Sequence, residues 1–542
     1  MNSLWLSNQK IFENKYENKG DIETDVCIIG AGIFGITCAY YLSKQGLKVT
    51  VLEKDFIGSK TTGHTTGKIT SQHGLFYKYL VDAYDEKFAK DYLDANEEAI
   101  KNIKDIIDTE KIKCDFKIQN NYVYATTEKE YNALKLEQSA LDKIGFNCDF
   151  VTKTGLPFDI KGAICFKNQA QFNSIKYLDG LCKAILSKGG SIFTGTTAFD
   201  VQKIDDTYTT FCSDFTVKSK YVIVATHYPF INFPGFYFTK LYQSSSYLIA
   251  IDPKKTLFNG MYISAAEPAF SFRTANYEGK ELLLIGGGEH RTGEPPSYEY
   301  TYGALEDVAK KYYPDCEVLF RWDTRDCISL DKIPYVGHYS SLMPHVFVGT
   351  GFKKWGMTLS NVAANIVVDE ILQKENKYAY LFNPSRLSAF KNRDEFKNIL
   401  VQSANSLVFD KFRPAQMNFD EIANNSGSII EINNQKVGIY KDPNGKIFAV
   451  KPICTHLGCQ LSWNDVDKTW DCPCHGSRFD FSGKNLYDPA IKDLETYNLD
   501  WCFQNFLSIF VDLKDFFCYN SFIIIIYLYV YFLFIELDFF VL

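Results

Sequence analysis

The sequence has no basic tract. Lys and Arg number 58 against 65 Asp and Glu, a net charge of −7, so nothing offsets phosphate charge and nucleic-acid binding is disfavoured. It also lacks low-complexity stretches and internal repeats, and its 46% hydrophobic and 23% charged residues describe a globular chain. Met1–Lys19 carries Lys10, Lys15 and Lys19 and no apolar stretch. It does not read as a secretory leader, and the expectation is a cytoplasmic protein of bacterial type. Cysteine is not scarce, at 15, but eleven of these have no paired spacing. They read as buried thiols rather than as a disulfide framework. At 542 residues the chain exceeds one ordinary core, and two or three domains are expected.

The four remaining cysteines are the most informative residues present. Cys454-Thr-His456-Leu-Gly-Cys459 and Cys472-Pro-Cys474-His475-Gly-Ser477 each bring a cysteine and a histidine together. Two thiolates and two neutral imidazoles suit a 2Fe–2S cluster of Rieske type, with Cys454, His456, Cys472 and His475 as ligands. Zinc also accepts two Cys and two His and is the rival at this stage. Iron is favoured by the extra cysteines, Cys459 and Cys474, placed to tie the loops as a disulfide. Gly458 and Gly476 further allow tight turns that aim backbone N–H groups at sulfur.

At the other end, Asp25–Ile29 reads as a buried strand and meets Gly30-Ala-Gly32-Ile-Phe-Gly35. A helix pattern runs to Gly46, and a second strand, Lys48–Leu52, ends at Glu53. Gly30 permits the turn, Gly32 lets backbone approach a pyrophosphate, Gly35 lets helix and strand pack, and Glu53 suits an adenosine ribose. This fingerprint serves NAD and FAD alike. Later segments choose FAD: a Gly/Thr-rich loop containing Gly63, His64, Thr65 and Thr66, and a second strand-to-helix turn, Thr350-Gly351-Phe-Lys-Lys-Trp-Gly356-Met357, before a helix over Leu359–Leu372. A helix N-terminus there suits the flavin edge where negative charge builds on reduction.

These segments, with Val222-Ile-Val-Ala225-Thr226-His227 and Asp331-Lys-Ile-Pro334-Tyr-Val-Gly337, resemble the D-amino-acid-oxidase-like (DAO) FAD-dependent oxidoreductases. The fusion order and the C-terminal Cys-Thr-His-Leu-Gly-Cys resemble the members that carry a Rieske 2Fe–2S domain. The resemblance implies a fold class: an α/β FAD-binding domain, Rossmann-like and of glutathione-reductase/DAO type, in two lobes, followed by an all-β Rieske domain. It implies FAD pieces near 22–75, 155–235 and 325–375, interleaved with a substrate lobe. The FAD-contacting residues expected are Gly30, Gly32, Gly35, Glu53, Gly63, Thr65, Thr66, Gly351, Gly356 and Met357.

The expected domain plan is an N-terminal segment 1–21, an oxidoreductase domain 22–380, a linker 381–417, a Rieske domain 418–513 and a hydrophobic tail 514–542. Phe76–Lys113 reads as one long amphipathic helix, and Tyr247–Asp252 and Leu282–Gly287 as strands. Ser428–Asn433, Lys436–Tyr440 and Ile447–Lys451 read as short strands, with a hairpin turn at Asp442–Gly445. Ser477 stands where Rieske proteins of high potential place a hydroxyl, but Phe479 replaces their tyrosine. A potential below the top of the range of about −150 to +300 mV is expected. Asp488-Pro489-Ala490 departs from the usual Gly-Pro-Ala loop. In the tail, Phe516–Ile535 is uncharged and long enough to span a bilayer. It reads as a membrane anchor, a non-native tail or a buried terminal element.

The resemblance implies oxidation of an amine or amino-acid C–N bond, with electrons passed singly to the cluster and on to a protein or quinone acceptor. A flavo-iron–sulfur relay between protein partners, without a small substrate, is the alternative. No catalytic residue is assigned. Arg273, Arg291 and Arg325 are candidates for a substrate carboxylate, His64 and His290 for positions near the flavin. Lys353 and Lys354 read by default as a solvated pair.

Overall fold

The computed structural model describes residues 3–7, 14, 20–294, 296–386, 397, 401, 406–407, 417, 419–432 and 435–497. The tail 514–542 and the expected end of the Rieske domain at 513 lie outside these residues, as does most of 1–21 and of 381–417. The chain forms two compact units. The first holds Met1–Gly235, Ser244–His290 and Ser297–Arg386; the second holds Phe236–Gln243, Arg291–Pro296 and the chain after Arg386.

The first unit is built on an eight-stranded sheet whose centre is parallel. Ile22–Ile29 lies between Val49–Leu52 and Thr216–Val224, and Thr216–Val224 pairs in turn with Met343–Thr350. Their near-continuous Val and Ile runs are what a sheet covered on both faces requires. Val26, Ile28, Val49, Val51, Val222, Ile223 and Val346 have no exposed surface. Helix Ile33–Lys44 packs on Gly356–Ile371 and on Ser174–Ser187. Because the strands run parallel, the turns after Ile29, Val224 and Thr350 emerge side by side. That edge, at the carboxyl ends, is where ligands bind in open α/β sheets.

A nine-stranded sheet forms the other layer, running from Glu317–Ser329 through Leu241–Asp252 and Lys280–Arg291 to Lys117–Ala125, Gly162–Gln171 and Lys68–Ile69. Leu241–Asp252 is longer than its apolar run indicates, because Gln243, Ser244, Ser245 and Ser246 are buried strand residues. The expected helix over 76–113 is in fact two, Tyr77–Ala83 and Glu86–Thr109. Asp85 divides them: its carboxylate accepts from Phe88 N at 2.7 Å and caps the second helix, the usual use of Asp at such a position.

The second unit contains a three-stranded antiparallel sheet, Ser426–Ile432, Gln435–Lys441 and Ile447–Val450, around a small core of Ile430, Val437, Ile439 and Ala449. The turn joining its last two strands is closed by Gly445 N donating to Asp442 O at 3.0 Å. A four-stranded sheet follows, Ser462–Asn464, Thr469–Asp471, Arg478–Asp480 and Asn485–Tyr487. Arg478, 2% exposed, forks onto both oxygens of Asp471 at 2.7 and 2.6 Å and meets Asp467 at 3.0 Å. Asp471 precedes Cys472 and Arg478 follows Ser477, so this buried pair pins both ends of the second cysteine–histidine loop.

Candidate functional site

In the first unit the glycine turn is fixed by contact rather than by composition. Gly30 has φ +109°, and a side chain there would put its Cβ 2.5 Å from Ala225 O. A Cβ on Gly35 would lie 2.1 Å from Gly30 O. Gly32 is different: a Cβ there would find only Thr62 Oγ1 at 3.5 Å within contact range. This open side at the start of helix Ile33–Lys44 fits a diphosphate approaching the backbone. Glu53 stands after the second strand, its two oxygens accepting from Ala31 N at 2.8 Å and Asp55 N at 2.9 Å. Burial raises its pKa, and those N–H groups offset part of the rise.

The Gly/Thr loop is clasped from outside. Thr62 Oγ1 accepts from Ile33 N at 3.1 Å, and Gly63 sits so close to Gly58 O that a Cβ would fall at 2.4 Å. Trp5 Nε1 donates to Thr65 O at 2.6 Å, and Arg273 Nη1 donates to Thr66 O and Gly67 O at 2.6 and 2.9 Å. Arg273 is therefore engaged by backbone. Arg325, with no exposed side chain, pairs with Asp323 at 2.9 Å. Arg291 belongs to the second unit, its guanidinium 5.1 Å above the Tyr242 ring. Of the three arginines, Arg273 is spent on backbone carbonyls and Arg325 on a carboxylate.

The third turn is tied to Thr70, just past the Gly/Thr loop, and to His227. Thr70 N donates to Thr358 Oγ1 and Thr358 Oγ1 to Thr70 O, each at 3.0 Å. Thr350 Oγ1 donates to His227 O at 2.5 Å. Gly351 takes φ +76°, Gly356 opens the helix, and Met357 is buried behind it. The lysines between them are not a solvated pair. Lys353 Nζ lies 3.9 Å from the centre of the Phe76 ring, and burial lowers its pKa to about 7.

Lys354 bonds Ser246 Oγ and lies 3.5 Å from Asp326 Oδ2 and 3.6 Å from Glu289 Oε1. Burial raises the Asp326 carboxyl, with Lys354 and His227 acting against the rise. Sequence reasoning missed Ser246, Glu289 and Asp326, because they sit on three strands distant in the chain and carry no motif. His64 and His290 are both held: His64 Nδ1 against Lys60 O at 2.8 Å, His290 Nδ1 against Gly288 O at 3.0 Å with its ring stacked on Tyr247. Burial lowers the pKa of each.

In the second unit the two cysteine–histidine loops have the same backbone form. Cys454 N donates to Cys459 O and Cys472 N to Ser477 O, each at 2.8 Å. Gly458 N and Gly476 N return to Cys454 O and Cys472 O, and both glycines are left-handed, at φ +79° and +80°. This curl turns N–H groups onto sulfur: those of His456 and Leu457 face the Cys454 thiol, those of Cys474 and His475 the Cys472 thiol. Burial opposes ionisation of Cys454, but its bonds to Cys472, to those N–H groups and to Ser477 outweigh it and hold its pKa below the ordinary value. The rings of His456 and His475 stand 5.1 Å apart at 87°, and their Nδ1 atoms are buried without a hydrogen bond to any described residue.

Cys459 and Cys474 form a disulfide with Cα atoms 6.7 Å apart. The sulfurs of Cys459, Cys472 and Cys474 also lie within 4.8 Å of one another. That trio cannot hold a metal, because two of its members are bonded together and offer no thiolate. Two thiols and two buried Nδ1 atoms remain, the donor set of a mixed Cys/His iron–sulfur centre. Ser477 is fully buried; its Oγ accepts from Ala490 N at 3.0 Å and also bonds toward the Cys454 sulfur. No helix among the described residues is long and apolar enough to cross a membrane.

Comparison with known proteins gives a family for each of the two stretches. Residues 25–370 match the FAD dependent oxidoreductase (DAO) family model, and residues 415–498 match the Rieske [2Fe-2S] domain. The chain is 37% identical over 480 residues to the Rieske 2Fe-2S iron-sulfur protein YhfW of Bacillus subtilis (strain 168), covering 89% of this chain and 94% of that one. Its fold is similar to glycine oxidase from Geobacillus kaustophilus (TM-score 0.58, 19% identity, 67% of this chain and 99% of that one). It is also similar to L-proline dehydrogenase from P. horikoshii (TM-score 0.56, 19% identity, 69% and 99%). The chain belongs to the DAO family of FAD-dependent oxidoreductases and carries a C-terminal Rieske domain; its cofactors are FAD and a 2Fe–2S cluster.

Proposed function

We propose that this protein oxidises the C–N bond of an amino acid or amine and passes the electrons singly to its own Rieske centre. The supporting observation is the charge set around Lys354. The carboxylates of Asp326 and Glu289 each lie within 3.6 Å of the Lys354 ammonium, beside the turn that opens helix Gly356–Ile371. This set offers a cation to a carboxylate and anions to an ammonium, the two charges an amino acid carries. A relay between protein partners has no use for such a group.

In this reading, Gly30, Gly32, Gly35, Glu53, Gly63, Thr65, Thr66, Gly351, Gly356 and Met357 hold FAD. Cys454, His456, Cys472 and His475 hold the cluster, and the two sites lie in domains spanning 22–380 and 418–513. The bound FAD supplies a two-electron acceptor and the cluster a one-electron carrier. Lys354 Nζ binds the substrate carboxylate and Ser246 Oγ fixes its orientation. Asp326 Oδ2, a stronger base than an exposed carboxylate because burial raises its pKa, takes the proton that must leave the substrate ammonium before oxidation. Anaerobic mixing of the holoprotein with a panel of amino acids and amines tests this. Bleaching of the flavin band by one class is expected, with kcat/KM reduced about 100-fold or more in Lys354→Met. If no compound bleaches the flavin while a reduced carrier protein reduces the cluster, the protein is a relay.

A further inference from the structure

We propose that Gln243 is a positioning residue for the Rieske centre, although it lies some two hundred residues upstream and inside the stretch that matches the FAD-dependent oxidoreductase model. It rests on the reading that His475 is a cluster ligand. Phe236–Gln243 and Arg291–Pro296 belong to the same compact unit as the cluster loops, so these contacts lie within one body. Gln243 is 2% exposed, and its Nε2 donates to His475 O at 3.0 Å and to Asp488 O at 2.8 Å. One side-chain amide thus uses both of its protons to join two loops: the one bearing Cys472 and His475, and the Asp488-Pro489-Ala490 loop that covers Ser477.

The surroundings show a fitted contact. A Cβ on Gly476 would lie 2.5 Å from Gln243 Cβ, so only glycine lets the glutamine stem cross the loop. A Cβ on Gly293 would lie 2.4 Å from Pro473 Cα, which brings the second segment as close to the other side of the same loop. Thr292 N donates to Gln243 O at 3.0 Å and joins the two segments. The Phe238 ring stands edge-on to the His475 ring with centroids 6.0 Å apart. His475 has no exposed surface, whereas His456 keeps part of its own. His475 is thus approached from two sides by this unit: Gln243 bonds its backbone carbonyl and Phe238 meets its ring.

The clamp matters because loop position sets how N–H dipoles point at a centre whose reduced form carries one more negative charge. Removing the amide takes away the bonds that tie the His475 and Asp488 carbonyls to one group, and the loop relaxes away from its set geometry. The test uses full-length holoprotein loaded with iron, measuring the EPR g values of the reduced cluster and its midpoint potential against a fixed mediator. Gln243→Leu is expected to displace the g values and lower the equilibrium constant for one-electron reduction at least threefold, at equal cluster content. Gln243→Asn, which keeps an amide on a shorter stem, shifts both in the same direction by less, and serves alone if the leucine variant takes up no cluster.

Ile430→Val removes a methyl group from the core of the same unit and should leave both readouts unmoved. Wild-type g values and potential in both Gln243 variants overturn the proposal. So does an equal shift in Ile430→Val, which would make the effect one of general stability. The wild-type spectrum separates the underlying reading: without a mixed Cys/His cluster signature, the ligand assignment falls first and Gln243 falls with it.

Discussion

Gly35 shows how one residue decides whether the cofactor turn exists. Its missing Cβ is replaced by Gly30 O, which a methyl group would meet at 2.1 Å. The Gly30 backbone and the short Ala225 side chain leave no flexible group to yield, so Gly35→Ala should cost about 3 kcal/mol, at the upper end for overpacking. Urea denaturation and the flavin-to-protein ratio of the purified variant check this, and a variant that keeps full flavin and stability would contradict it. Residues of this kind were readable from sequence, because a tight turn followed by close helix packing admits only glycine. The form of the Cys454–Cys459 and Cys472–Ser477 loops was legible for the same reason, since their glycines set a turn local to each run. Asp326, Glu289, Ser246 and Gln243 were not readable. Their neighbours arrive from other strands, and no spacing along the chain encodes that.

At the scale of elements, short polar runs defeated the sequence reading and caps corrected it. Helix periodicity continued through Asp85, yet its carboxylate bonds Phe88 N and starts a new helix. Buried serines hid the length of the strand Leu241–Asp252. Two elements carry predictions. Asp331, 1% exposed, meets Arg386 through two bonds of 2.7 and 2.8 Å. Burial alone would raise its pKa, but Arg386 outweighs burial and holds it below the ordinary 3.8.

A depressed carboxylate pKa gives stability that is complete above the unfolded value and is lost as pH falls through the folded one. Asp331→Asn should therefore cost about 3–5 kcal/mol at neutral pH, since it strands a buried guanidinium. The gap from wild type should narrow only below about pH 4. Denaturation at a series of pH values reads this directly, and a gap that narrows between pH 7 and 5 would contradict it. The Cys459–Cys474 disulfide closes a sequence separation of 15, which the chain-entropy model values at about 3 kcal/mol. The double variant Cys459→Ser, Cys474→Ser should lose that much from the second unit in guanidinium unfolding, and a loss below about 1 kcal/mol would show that the loops hold without the bond.

For the whole molecule, the order of parts was legible because each end carries its own fingerprint: a glycine turn between strands at one end and paired Cys/His loops at the other. How the chain shares itself between its two compact units was not. The segments Phe236–Gln243 and Arg291–Pro296 leave the oxidoreductase stretch to join the cluster loops, and nothing in their composition marks them. The central claim is that electrons from a small molecule reach the chain's own cluster. The most direct measurement is freeze-quench EPR of the holoprotein after anaerobic mixing with the amino acid or amine that bleaches its flavin, alongside Cys472→Ser. The account predicts a reduced Rieske signal in the wild type that grows as the two-electron-reduced flavin gives up one electron and passes to its semiquinone, and a flavin that stays fully reduced in the variant. A cluster that stays oxidised in the wild type while oxygen alone restores the flavin would contradict it and make the protein an oxidase.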